Sequence, residues 1–127
     1  MIGAGAVAAT ILIVLAVVHL YWAAGGALGK DAAIPVRDGR PLLRPTPTVT
    51  YIVAAGLFAM ALLVMTGTGW LVGLIGAVFI IRAVGDFRYI GFFKTVRAGR
   101  FARLDTLAYS PLSLLLGILI AISATGR

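Results

Sequence analysis

The sequence contains no cysteine and no glutamate, a single histidine (His19) and only the aspartates Asp31, Asp38, Asp86 and Asp105. Without cysteine there is no disulfide, no thiolate nucleophile or metal ligand, and no dithiol able to reduce a quinone. One histidine and a few scattered aspartates are a poor set for zinc, and no cofactor motif accompanies them, so neither metal nor cofactor is expected. Charge is scarce too: 12% of the 127 residues are charged, against 61% hydrophobic. So few charges could not cover the surface of a soluble domain of this size. The net charge is +7, yet the basic residues flank apolar runs instead of forming a soluble basic face. That pattern argues against nucleic acid and for anionic lipid headgroups.

What is abundant is apolar sequence in long runs, with a mean hydropathy of +1.08. A bilayer core of about 30 Å is crossed by about 20 apolar residues in a helix. Four segments approach that length, at about 2–24, 49–65, 70–85 and 107–124. The first has no Lys or Arg ahead of its apolar run and reads as a retained helix, not a signal peptide. The expected fold is all-α: a single integral membrane domain over residues 1–127, a bundle of four transmembrane helices with charged loops at about 29–48 and 86–105.

The first of these loops holds Pro35, Pro41, Pro45 and Pro47, which make it a semi-rigid connector. Thr46-Pro47 reads as an N-cap followed by proline at the first helical position. The second and third spans are joined by Thr66-Gly67-Thr68-Gly69, ahead of the interfacial residue Trp70, and so are expected to be antiparallel neighbours. In the segment between the third and fourth spans, Tyr89, Phe92, Phe93 and Val96 recur at helical spacing. This predicts an amphipathic helix in the interface plane with its rings inward, or a continuation of the third helix out of the membrane, ended in either case by Gly99. The fourth span begins either near Asp105, with a kink at Pro111, or at Ser110 as a cap.

Lys30, Arg37, Arg40 and Arg44 lie in the first charged loop, and Arg82, Arg88, Lys94, Arg97, Arg100 and Arg103 in or beside the second, together ten of the eleven basic residues. Four spans put these loops on one side, which the positive-inside rule assigns to the cytoplasm, with both termini outside. Gly69, Gly73 and Ala77, together with Gly3, Gly5, Ala8 and Ala9, and Ala55 and Ala59, offer small surfaces for helix packing within one bundle or between copies.

The chemically informative residues gather at the cytoplasmic ends of the spans. A histidine inside a span is rarely without a partner. His19 sits beside Tyr21 and Trp22. Arg82 and Asp86 stand at i and i+4, followed by Tyr89, and predict an ion pair that could hold an anionic group. Asp105 and Tyr109 repeat the spacing on the fourth span. The expected ligand site is a polar pocket walled by His19, Tyr21, Trp22, Arg82, Asp86, Tyr89, Asp105 and Tyr109. Arg88, Lys94, Arg97 and Arg100 are the expected contacts to lipid headgroups.

The runs from His19 to Gly26, Arg82 to Lys94 and Asp105 to Leu112 resemble the bacterial membrane proteins grouped as domain of unknown function 3995. The resemblance spans nearly the whole chain and implies a small four-helix membrane protein, with no activity attached. From the residues, the first functional expectation is non-enzymatic binding of a lipid, a quinone or a partner subunit. A membrane enzyme acting on a lipid or isoprenoid substrate, with His19 as acid/base, is a second. An oligomeric transporter or channel is a third, although the charges sit at the span ends and no internal repeat is evident.

Overall fold

The computed structural model describes residues 2–37, 40–42, 44–97, 99–125 and 127. Helix α1 runs over Ile2–Ala23, α2 over Pro47–Thr66 and α3 over Gly69–Val84. A short helix α4, Arg100–Leu104, continues through a π-turn at Asp105–Tyr109 into α5, Ser110–Ala124. Between α1 and α2 lie a 3-10 turn, Asp31–Ala33, and a two-stranded antiparallel ribbon in which Val36 pairs with Pro41. The helices are apolar on every side, as expected of segments with no polar face to present to water.

Three helices, α1, α2 and the continuous Arg100–Ala124, are long and apolar enough to cross a membrane. Helix α3 is apolar but has 16 residues, about 24 Å at 1.5 Å per residue. Large apolar side chains stand exposed around the bundle, among them Ile52, Leu62, Leu74 and Ile81. Such a continuous apolar exterior suits lipid. Several hydroxyls within the helices bond back to their own backbone, as Thr10 does to Ala6 O at 2.8 Å and Ser113 to Tyr109 O at 2.8 Å, which satisfies their protons in apolar surroundings.

Helix α1 packs mainly on α2, and α3 mainly on α5; contacts between α1 and α5 join the pairs. The expectation that α2 and α3 are close neighbours is corrected here. Their short turn joins them, but they touch little. The reason is the better fit of α3 to α5. A Cβ on Gly76 would lie 3.1 Å from Gly117 O, and one on Gly117 would lie 2.9 Å from Gly76 O, so the two backbones approach as only small residues permit. The expected small row on α3 is also displaced. Gly73 has nothing within 4 Å of its would-be Cβ, and Ala77 is exposed. Ala55 and Ala59 likewise face outward, while Ala8, Ala9, Ala54 and Ala61 are buried.

The start of α2 agrees with the expected cap: Thr46 Oγ1 accepts from Val49 N at 3.2 Å, and Pro47 is the first helical residue. The stretch after α3 does not match its expected form. Residues 85–97 form turns and bends, not an amphipathic helix, and Gly99, with φ +104, opens α4 instead of closing a helix. Phe93 is accordingly 60% exposed. Gly85 (φ +87) and Gly91 (φ +89) meet back to back. A side chain on Gly91 would collide with the Val84 carbonyl, and one on Gly85 with that of Ile90. Phe92 N donates to Ala83 O at 2.8 Å, folding the loop onto the end of α3.

The last helix starts earlier than either alternative expected from the sequence. Ser110 is an interior helical residue (φ −70, ψ −45) and caps nothing. The π-turn lies immediately before Pro111, whose ring would otherwise press on the carbonyl one turn back. Its extra residue rotates α4 by about 100° relative to α5. This aims Asp105 at α3 and the loop after it.

Candidate functional site

Asp105 is wholly buried and holds three elements together. Its Oδ1 accepts from Arg82 Nη2 of α3 at 2.8 Å. Its Oδ2 accepts from the backbone N of Gly91 at 2.7 Å and faces Lys94 Nζ at 3.1 Å. Lys94 is 2% exposed; its ammonium also donates to Gly91 O at 3.1 Å and to Thr106 Oγ1. Two cations thus share one carboxylate. The back-to-back glycines make the arrangement possible, because they bring the Gly91 N–H to the carboxylate.

Two expectations are corrected by this geometry. Arg82 does not pair with Asp86 among the described residues, because α3 ends at Val84 and Gly85 turns the chain before Asp86 can reach the helix face. Asp86 caps the loop instead: its Oδ1 accepts from the backbone N of Arg88, Tyr89 and Ile90 at 2.9, 2.8 and 3.2 Å. The slight desolvation of this exposed carboxyl acts to raise its pKa, but the converging N–H donors outweigh it and hold the group below its ordinary value. Lys94, expected at lipid headgroups, is instead enclosed beside Asp105. Of the other headgroup candidates, Arg88 lies over the Tyr89 ring at 5.1 Å, Arg97 donates to Phe92 O at 2.9 Å, and Arg100 stands 3.9 Å from Asp31 with both side chains mostly in solvent.

His19 and Trp22 belong to a second place. With Lys30, Ala33, Ile34, Pro45, Val49, Thr50 and Val53 they line a cleft of about 170 Å³ where α1 ends and α2 begins. His19 Nδ1 lies 2.7 Å from Leu15 O. That carbonyl can only accept, so Nδ1 carries a proton and Nε2 is the nitrogen left for a ligand. The Trp22 ring meets His19 edge-on at 5.1 Å and its Nε1 donates to Leu28 O at 2.8 Å, fixing both rings. Tyr21 is not on the cleft wall. Its ring covers Gly26 and its hydroxyl accepts from Leu28 N at 3.3 Å.

The residues expected in one pocket therefore fall into two groups. His19 and Trp22 line the cleft; Arg82 and Asp105 form the buried knot. The turn at 31–33 lies between them. Tyr109, its ring 5.6 Å from that of Phe101, donates to Ala32 O at 2.9 Å, while the adjoining Ala33 lines the cleft. Sequence reasoning does not single out Lys30, Pro45, Val49, Thr50 and Val53 as cleft walls. The Thr46-Pro47 cap is the one signal that could find them, since it fixes which residues open α2. At the opposite end of the bundle sequence reasoning also passes over Arg127, whose guanidinium donates to Gly67 O at 3.2 Å and to Val64 O.

The family model for "Protein of unknown function (DUF3995)" matches residues 12–120. The match takes in both the cleft and the Asp105 knot, and the chain belongs to this family. No curated protein and no solved structure matches the chain.

Proposed function

We propose that the chain crosses a bacterial inner membrane four times and binds an amphiphilic molecule, such as a lipid or a quinone, in the cleft beside His19, without transforming it. Four crossings are supported by the three long apolar helices and by α3, whose shortness is offset by Trp70 at one end and Arg82 at the other. A short span is accommodated by tilt, local thinning and snorkelling of flanking residues. The distribution of basic residues, ten of eleven in or beside the two charged loops, supports a cytoplasmic position for those loops.

The observation that carries the binding reading is the composition of the cleft wall. Polar His19 and Lys30 stand with Trp22, Pro45, Val49 and Val53, a mostly apolar concavity with a few placed polar groups. Val49 and Val53 are 49% and 42% exposed, so the cleft opens onto the apolar exterior. No carboxylate lines the cleft among the described residues, which favours binding over acid/base chemistry by His19. Native mass spectrometry of the protein released from its own membrane tests this, with His19→Ala and Arg82→Gln variants alongside. A discrete bound mass is expected in the parent and in Arg82→Gln, and its loss in His19→Ala. Bulk lipid alone in all three would overturn the reading, and loss only in Arg82→Gln would move the site to the knot.

A further inference from the structure

We infer that the cleft selects the anionic headgroup of a single-chain amphiphile, a carboxylate or a phosphate monoester, held between Lys30 and His19 with its chain running out along Val49 and Val53. This rests on the preceding reading of the cleft as a binding site and adds the charge and shape of the ligand.

The charge is set by which polar atoms remain open. His19 and Lys30 are the ionisable residues of the cleft wall. Lys30 makes no ion pair or side-chain hydrogen bond among the described residues. The acid next to it in sequence is engaged elsewhere: Asp31 Oδ1 accepts from Ala32 N at 3.0 Å, and Oδ2 faces Arg100. Thr50 directs its hydroxyl proton to Thr46 O at 2.9 Å, so it has none for a headgroup. The groups that remain are the Lys30 ammonium, which attracts the anion, and His19 Nε2, which accepts the acid proton of a singly ionised headgroup or donates one as imidazolium. A half-buried lysine with no counter-ion among the described residues, beside apolar walls, is the arrangement an anion completes.

The shape is set by size and exit. A cleft of about 170 Å³ is close to cavities that enclose one benzene-sized molecule. A small headgroup and the first few methylenes of one chain fill that volume; a glycerol backbone carrying two acyl chains exceeds it. The chain must then leave along the exposed valines of α2, in the direction of the apolar exterior. The cleft also lies where α1 gives way to the charged loop and α2 begins, the depth at which headgroups sit.

The test uses the full chain in phosphatidylcholine nanodiscs with Trp70→Phe, so that Trp22 in the cleft wall is the sole tryptophan. Dodecyl phosphate, dodecanoate and dodecanol are titrated and compared at equal mole fraction in the bilayer. At least one anion is expected to change Trp22 emission saturably and about ten-fold more tightly than the alcohol, a difference lost in Lys30→Gln and reduced in His19→Gln. The better of the two anions identifies the headgroup class. Equal binding of dodecanol, or anion binding unchanged in a folded Lys30→Gln variant, overturns the charge selection while the cleft remains a binding site. If none of the three saturates, by fluorescence or by equilibrium dialysis, the single-chain inference is overturned, while the wider reading of the cleft stands or falls with the bound mass in native mass spectrometry.

Discussion

Asp105 is the residue on which its end of the helices depends, because among the described residues it is the carboxylate that balances both Arg82 and Lys94, and it is wholly buried. Removing one partner of a buried pair leaves the other charge unsatisfied, at a cost of about 3–5 kcal/mol. Asp105→Ala is expected to fall in that range or to prevent folding, as read by thermal unfolding in mild detergent. Arg100→Ala, which loses only the exposed contact to Asp31, should change the midpoint little. The His19 cleft should survive in any Asp105 variant that folds, since its walls come from α1, α2 and the loop between them. Sequence alone points to Arg82, Asp105 and His19 as the unusual residues, but not to their partners. Spacing favours the near neighbour Asp86, whereas the observed partner of Arg82 is 23 residues away, a contact that exists only once α3 and α5 have packed.

Among the elements, the loop between α3 and α4 departs most from its apparent pattern. Tyr89, Phe92, Phe93 and Val96 have helical spacing, yet Gly85, Gly91 and Gly99 all adopt positive φ, and left-handed residues at short intervals cannot belong to one helix. Periodicity records which side chains are apolar and is blind to backbone handedness. The start of α2 is legible because capping by Thr46 and Pro47 is local. The π-turn is not, because it answers Pro111 and the reach of Asp105 together. The glycine pair gives a direct test. Gly91→Ala forces a side chain into a left-handed position against the Val84 carbonyl and is expected to lower stability by at least about 2 kcal/mol. Gly73→Ala, in the open on α3, should be neutral or slightly stabilising. Unfolding midpoints of the two variants, measured side by side, check the contrast.

At the scale of the whole molecule, the natural lack of cysteine makes the proposed topology easy to probe. Single cysteines placed at Arg44 and Thr95 are expected to react with a membrane-impermeant maleimide only after the membrane is opened, and one at Thr68 in intact spheroplasts. Labelling of Thr68→Cys and Arg44→Cys from the same side would refute a four-span topology. The count of apolar segments and the clustering of charge are readable in the sequence because both come from composition along the chain. The pairing of helices is not, since all of them are apolar on every side and only close contacts such as Gly76 with Gly117 choose the partner.

That pairing bears on how the protein is made. Each helix finds its main partner within its own half of the chain, α1 with α2 and α3 with α5, and the short link at 67–68 carries little contact between α2 and α3. A ribosome delivering the chain would release the first pair before the second has emerged, and the halves would then dock, mainly through α1 and α5, to close the shared core. Under the proposed topology, biogenesis by hairpins is the expected consequence, and with it the capacity of two separately synthesised fragments, divided at Thr68, to reassemble.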